Sequence, residues 1–267
     1  MKIITCIKQV PANSTIKIDQ VTGHLVREAT PAILNPLDKH SIELALEIKE
    51  SREDVEVIAI TMGPDQARLA LLEALSMGAD KAILLSDIKF AGSDTLATSY
   101  TLSIAIKKLM NDDDNYLITC GAQASDGETG HVGPQVAEEL GIPSITGASR
   151  ASLDGDVLLV TRGKQAGKLE QIKTRLPALV TVTKGVNKPR LPTLHGITHA
   201  FDEGALLSVW NAATIDADEE KIGMAGSKTK VSKMYTPEPK KENITLTGSP
   251  KEIASKLASM LKEKNYI

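Results

Sequence analysis

Aromatic residues are scarce: one Trp, four Tyr and two Phe make up 3% of 267 positions. The core must therefore be aliphatic, as in a sheet buried under helices on both faces. Few rings are left to stack on a base or a flavin, so backbone and aliphatic contacts would have to hold such a ligand. Cysteine is scarcer still. Only Cys6 and Cys120 occur, both inside apolar runs and without CxxC spacing. That excludes a disulfide framework, a zinc site and a cysteine-ligated iron–sulfur cluster. An excess of one charge is missing too: 31 Lys and Arg face 34 Asp and Glu, a net charge of -3. Such a balance excludes electrostatic binding of nucleic acid. No apolar run reaches the roughly 18 residues of a membrane span. Met1–Lys8 is interrupted too early by charge to read as a signal peptide, so a cytoplasmic location is expected.

Familiar catalytic signatures are absent as well. There is no GxSxG, HExxH or Cys-His pattern, and no nucleophile stands out. The five histidines (His24, His40, His131, His195, His199) form no ligand set. His195 and His199 are four apart, which suits a helix face. Pro192 and Gly196 argue against a helix there, so neither a metal site nor a catalytic side chain is expected.

What the chain does have is alternation. Ile3–Ile7, Val55–Thr61, Lys81–Leu85 and Tyr116–Gly121 are apolar runs of strand length. Between them lie amphipathic segments of helix length, Asp38–Glu50, Asp65–Met77 and Asp94–Met110. This order predicts right-handed crossovers and a parallel sheet. A fourth helix is expected from Gly133 to Leu140, with Pro134 near its start. Then the pattern changes. Ser144–Ser152, Val157–Arg162, Lys168–Lys173 and Leu179–Thr183 read as strands, with a hairpin turn at Leu153–Asp156. This antiparallel stretch either extends the sheet or forms a small second one. From Asn187 the chain reads as irregular, and it closes with a helix from Pro250 to Lys264. The expected class is α/β: an open, mostly parallel, doubly wound sheet with an antiparallel extension and a C-terminal arm. The expected domains are a nucleotide-binding body over 1–205 and an arm over 206–267.

Ligands of such sheets bind beyond the C-terminal strand ends. The most unusual segment there follows Cys120: Gly121, Ala122, Gln123, Ala124, Ser125, Asp126, Gly127, Glu128, Thr129, Gly130, His131 and Val132, then Gly133-Pro134. It links a strand to a helix, and its glycines let backbone N–H groups approach a phosphate near a helix N-terminus. It is neither GxGxxG nor GxxxxGK[ST]. Asp126 and Glu128 oppose a simple phosphate nest unless they face ribose hydroxyls. A plain loop and a nucleotide cradle both remain open readings. The second segment is Asn35-Pro36-Leu37-Asp38, a turn with Asp38 as the expected N-cap. Either it only caps a helix, or Asn35 and Asp38 also face the nucleotide.

A series of motifs resembles one family. Cys6-Ile7-Lys8-Gln9-Val10-Pro11 is similar to an opening "A-x-K-R-V". Asn35-Pro36-Leu37-Asp38 with Ser41-Ile42-Glu43-Leu44-Ala45 is similar to "NPFDE-x-A-x-EEA". Met62-Gly63-Pro64 and Glu73–Ala82 look like "GP…ALAMGADRA". Leu176–Val182 and Asn187–Leu194 look like "LPAVVTV" and "NEPRYATL". In this order, over nearly the whole chain, they resemble the beta subunit of electron-transfer flavoprotein. The resemblance implies an adenine-nucleotide-hydrolase-like fold and a heterodimer with an alpha subunit. Lys8–Pro11 stands where ATP-using relatives carry an SGGxDS-like loop, which argues against their chemistry.

Ordinary members tend to read "GKQAIDDDxNQTG" in the loop after Cys120. Asp126-Gly127-Glu128-Thr129 and the run through Glu138 instead look like the "DGDTAQVGPQIAE" of the electron-bifurcating group. Gly127 and Gly130 would make room for a pyrophosphate and a second nucleotide half. The implied cofactor is FAD, with NADH as electron donor. The implied acceptors are ferredoxin or flavodoxin and, through the alpha-subunit FAD, a flavin dehydrogenase of acyl-CoA, enoyl-CoA or lactate type. The alternative is an ordinary carrier with structural AMP in the FAD position. Carried over position by position, the backbone of Cys6, Asn35, Pro36, Leu37, Asp38, Met62 and Gly121–Val132 surround the nucleotide. Leu194 matches the leucine that anchors the dehydrogenase partner, although His199–Glu203 replaces the lysine-rich run that follows it in ordinary members. Pro237–Ile267 looks like the arm that packs across the alpha subunit.

Overall fold

A computed structural model describes residues 1–12, 31–110, 115–202, 206–230, 232 and 244–267. His24 and Glu203 lie outside the described residues, as does part of the 206–267 segment. In chain order the first elements are β1 (Lys2–Cys6), β2 (Gln9–Pro11), β3 (Ala32–Leu34), α1 (Pro36–Glu50), β4 (Glu56–Met62), α2 (Arg68–Met77) and β5 (Lys81–Leu85). There follow α3 (Thr95–Met110), β6 (Tyr116–Gly121), α4 (Val132–Leu140), β7 (Ser144–Asp154), β8 (Val157–Gly163) and β9 (Leu169–Arg175). The last are β10 (Ala178–Val182), α5 (Leu194–Asp202), β11 (Leu207–Trp210), α6 (Gly223–Gly226) and α7 (Pro250–Glu263).

Nine strands form one sheet in the order β11-β5-β4-β1-β6-β10-β7-β8-β9. From β11 to β7 the neighbours run parallel; β7, β8 and β9 pair antiparallel at the far edge. β2 and β3 make a separate antiparallel ribbon. Successive residues of the central strands point to opposite layers, as period-two geometry demands. Ile3, Val57 and Leu117 join a core with α1 and α2, and Ile4, Ile58 and Ile118 join another with α3 and α4. The chain leaves β1 for β4 on one side and later returns to place β6 on the other. The β1–β6 boundary is thus the switch point, where a crevice opens beyond the strand ends.

Two expectations about strand and helix placement need correction. The stretch Leu179–Thr183 reads locally with the antiparallel group, but β10 runs parallel between β6 and β7. All five of its residues are buried, the burial pattern of an interior strand, and local sequence does not encode its neighbours. The irregular segment after Asn187 contains α5. Pro192 precedes the helix and so interrupts no helical hydrogen bond. Gly196 is needed for close approach: a Cβ there would run into the carbonyl oxygen of Ser76 at the end of α2.

By its contacts the chain divides into two units, Met1–Ser232 and Lys233–Ile267. Residues 206–232, expected from sequence to belong to the arm, lie within the first unit, where β11 pairs with β5. In the second unit, α7 opens with a capping box between Ser249 and Glu252 and buries none of its residues. Among the described residues no helix is long and apolar enough to cross a membrane.

Candidate functional site

The switch-point crevice is floored by two matching strand ends. β1 closes with Thr5-Cys6 and β6 with Thr119-Cys120-Gly121, and the register pairs Thr with Thr and Cys with Cys. The threonines face α1. Thr5 Oγ1 lies 3.0 Å from Ser41 Oγ, and Thr119 Oγ1 donates to the Ser41 carbonyl at 3.2 Å. The hydroxyl of Ser41 in turn donates to the Asp38 carbonyl at 2.8 Å. This buried relay fixes the first turns of α1 against both strands. The cysteines face the opposite layer and line the crevice.

Helix α1 begins at Pro36, so Asn35 occupies the N-cap position and Asp38 lies in the first turn. That corrects the expectation of Asp38 as the N-cap. Its carboxylate grips the two loops instead. Oδ2 accepts from the Lys8 N–H at 2.8 Å, and Oδ1 accepts from the Gly121 N–H at 3.0 Å. Asn35, 1% exposed, makes no cap bond. Its Nδ2 donates to the Gln123 carbonyl at 3.0 Å, and its Oδ1 accepts from the Ser125 N–H at 3.2 Å. Burial pushes the Asp38 carboxyl up to about 7, against the lowering effect of donors from Asn35, Lys8 and Gly121. Burial, then the Asp38 charge, pushes the Cys6 thiol up to about 12. Burial, then Cys6 and Asp38, likewise hold Cys120 as a thiol. Neither cysteine is set up as a nucleophile.

Above this floor lies a cavity of about 960 Å³. Of the residues singled out from sequence, Cys6, Asp38, Met62, Gly121–Ala124 and Asp126–Val132 line it. Asn35, Pro36, Leu37 and Ser125 do not, and Asn35 instead supports the loop by the two bonds above. Leu194 is not brought to it: it starts α5, which packs on α2, and is 79% exposed. Lys8, which also lines the cavity, pairs with Asp126, with Nζ 2.8 Å and 2.6 Å from the two carboxylate oxygens. Gly121 and Gly133 are positions of close approach. A Cβ on Gly133 would stand 2.8 Å from Cys120 Sγ, and one on Gly121 would meet Asp38 and Leu37. A Cβ on Gly127 would meet nothing within 4 Å. Glu128 holds a φ of 52°, a conformation rare outside glycine and found where a loop is tightly determined.

The far wall is the part of the site that sequence reasoning misses. Gly92–Thr95 and Thr98 come from the start of α3, and Met224, Ser227, Thr229 and Lys230 from the segment after β11. Asp94 joins the two. Its Oδ1 accepts from the Leu96 and Ala97 N–H groups at 3.0 and 3.1 Å, capping α3. Its Oδ2 accepts from the Lys228 and Thr229 N–H groups at 2.8 and 2.9 Å. Burial raises this carboxyl, but the donors of Ala97, Thr229 and Lys228 outweigh it and hold it below its ordinary value. Gly92-Ser93-Asp94-Thr95 carries a capping signal that marks this loop; nothing local marks Met224–Lys230.

The donor set fits a nucleotide. The N–H groups at the start of α4 have no acceptor within the helix. His131, at the N-cap position, makes no side-chain cap bond, so this end is free to meet an anion. The polar loop adds Thr129 and backbone, the floor adds aliphatic and sulfur surface, and no Phe, Tyr or Trp lines the cavity among the described residues. The described residues hold no group of three or more metal-ligating side chains; His195 and His199 do share a helix face, with rings stacked 6.0 Å apart.

The family profile described as the electron transfer flavoprotein domain matches residues 22–205. The chain is 43% identical over 267 residues to an electron transfer flavoprotein subunit beta of Clostridium acetobutylicum, covering 100% of both. It is 41% identical to a caffeyl-CoA reductase-Etf complex subunit CarD of Acetobacterium woodii, again with 100% of both covered. To an acryloyl-CoA reductase electron transfer subunit gamma of Anaerotignum propionicum it is 38% identical, with 100% of both covered.

Proposed function

The chain belongs to the electron transfer flavoprotein family as a beta-type subunit, and on that premise we propose that its crevice binds FAD for electron bifurcation. Asn35, Asp38 and the Gly121–Val132 loop would hold FAD there, and bound FAD would supply hydride acceptance from NADH and one-electron transfer toward ferredoxin or flavodoxin and, by way of the alpha-subunit FAD, a flavin dehydrogenase. The names of the caffeyl-CoA and acryloyl-CoA relatives favour an acyl-CoA or enoyl-CoA reductase over a lactate-type enzyme as that dehydrogenase.

The chain's own work is binding and positioning. Asn35 and Asp38 set the loops after β1 and β6, so that N–H groups at the start of α4 meet the phosphates. Cys6 and Met62 provide an apolar floor. No side chain of the crevice is needed as a proton donor. The observation that carries the reading is the space at Gly127. A Cβ there meets nothing within 4 Å, and the cavity of about 960 Å³ lies at the upper end of ligand sites, which span roughly 300–1,000 Å³. A dinucleotide uses that volume better than a mononucleotide does.

In the same reading the C-terminal arm docks on an alpha subunit: α7 buries nothing in its own unit, yet spaces Ile253, Leu257, Met260 and Leu261 along one face. Leu194 on α5 offers an apolar contact to the dehydrogenase, and the complex works in the cytoplasm. The test is a count of nucleotides released by denaturing the heterodimer with its alpha subunit. Two FAD and no AMP support bifurcation. One FAD and one AMP overturn it in favour of an ordinary carrier.

A further inference from the structure

We infer that Lys8 and Asp126 form a displaceable latch that selects adenine nucleotides with a doubly esterified diphosphate over those with a terminal polyphosphate. The inference rests on the nucleotide reading of the crevice and names the chemistry that reading prefers.

The two residues come from the two loops of the switch point. Lys8 follows β1, and its backbone N–H is fixed by Asp38 at 2.8 Å. Asp126 follows β6, next to Ser125, whose N–H is fixed by Asn35 at 3.2 Å. Both stems are therefore anchored, and only the side chains are free to change partner. Their ion pair joins the two loops with distances of 2.8 and 2.6 Å, and both residues line the cavity. Lys8 is half exposed and Asp126 about one-quarter exposed. Pairs of that exposure contribute little, about 0–1 kcal/mol, so a phosphate can displace the carboxylate. Among the described lining residues, the other side chains able to carry positive charge are His131 and Lys230.

Displacement leaves Asp126 without its cation. A ribose or ribityl hydroxyl beside an esterified diphosphate can donate to it, so both members of the latch end satisfied. A terminal phosphate brings further negative charge to the same carboxylate and is repelled. Gly127, with open space beside it, lets the sugar side of such a ligand approach the carboxylate.

The experiment titrates the heterodimer, stripped of nucleotide, with ADP-ribose and with ATP; neither carries a flavin ring. The wild-type chain should bind ADP-ribose more tightly. Asp126→Asn should strengthen ATP and shrink that preference roughly tenfold. Lys8→Gln should weaken both probes roughly ten- to hundredfold and flatten the salt dependence, with recovery in Lys8→Arg. Melting temperatures close to wild type exclude misfolding, and Asp126→Ser replaces Asp126→Asn if that variant fails to fold. An unchanged ADP-ribose-to-ATP ratio in Asp126→Asn overturns the latch. FAD content is counted separately. FAD bound with no latch pattern sinks this inference alone, whereas the latch pattern without FAD sinks the flavin reading alone. No binding of either probe, with no FAD, sinks both.

Discussion

Two helix N-termini face the same crevice, and the protein treats them oppositely. At α3, Asp94 caps the helix with its own carboxylate and ties down Lys228 and Thr229 with the other oxygen. At α4, the N-cap residue His131 makes no side-chain cap bond, and the nearby carboxylate, Asp38, grips loop backbone instead. One positive helix end is satisfied by the fold, and the other is left for a ligand. The two carboxyls register the contrast. Asp94 collects enough donors to stay below its ordinary value despite burial, whereas burial wins at Asp38 and lifts it to about 7.

Removing the closed end should have the largest effect. Asp94→Ala loses the α3 cap and orphans the N–H groups of Lys228 and Thr229, for a loss of about 2–4 kcal/mol. Chemical denaturation measures it, and limited proteolysis should show new cleavage near residues 227–230. A loss under half that size would mean that water replaces Asp94 and that the closed end is not structural. Next in size is Gly133→Ala. Its Cβ would crowd Cys120 Sγ at 2.8 Å and Thr181 Cγ2 at 2.9 Å, which displaces the start of α4. Overpacking of that kind destabilises by about 1–3 kcal/mol. Nucleotide retention should fall with it. Full retention at reduced stability would separate the open helix end from ligand binding.

The two carboxyls also predict opposite pH dependence. Asp38 is raised from 3.8 to about 7, so between those values the folded chain holds a proton that the unfolded chain has lost. Stability from this group therefore falls as pH rises through that window, with the full penalty present above about 7. Asp94 is depressed, so its contribution is present above the ordinary carboxyl value and is lost only in stronger acid. Calorimetric melting between about pH 5 and 8 should show a decline in the nucleotide-free wild type that Asp38→Asn flattens and Asp94→Asn leaves in place. Equal slopes in wild type and Asp38→Asn would remove Asp38 from the account.

Much of the framework is readable in sequence because it is written locally. Lys81–Leu85 and Tyr116–Gly121 are strands over those bounds, since apolar runs bounded by turns carry their own signal. The loop after β6 is readable for the same reason: glycine between a strand and a helix means close backbone approach. What escapes depends on distant partners. Asp94 brings Thr229 to the crevice across 135 positions, and Gly196 makes α5 possible only because the end of α2 lies against it. The register that matches Thr5-Cys6 with Thr119-Cys120 needs the strand order, which follows from no single segment. Glycine itself is unevenly legible. Gly127 and Gly130 stand out in sequence as spacers, yet only Gly127 has open space; Gly130 is held at a φ of 64° close to the Ala122 carbonyl, and Gly121 and Gly133 are enforced by packing.

That unevenness yields the smallest predicted effect on folding and the sharpest on the site. Gly127 sits in the open-ended loop with nothing within 4 Å of where a Cβ would stand and without the positive φ that demands glycine. Gly127→Val should therefore leave stability within about 0.5 kcal/mol of wild type, as surface substitutions generally do. The space it fills is the space the proposed dinucleotide occupies, so the FAD bound by this chain should be lost while the melting temperature holds. Gly133→Ala is the matched control, because there stability and binding fall together. If Gly127→Val keeps its FAD, the open space belongs to solvent, and the nucleotide lies deeper, against Cys6 and Met62. If instead it unfolds, the loop packs more tightly than its empty surroundings indicate, and the contrast between the two helix ends loses its ligand-facing half.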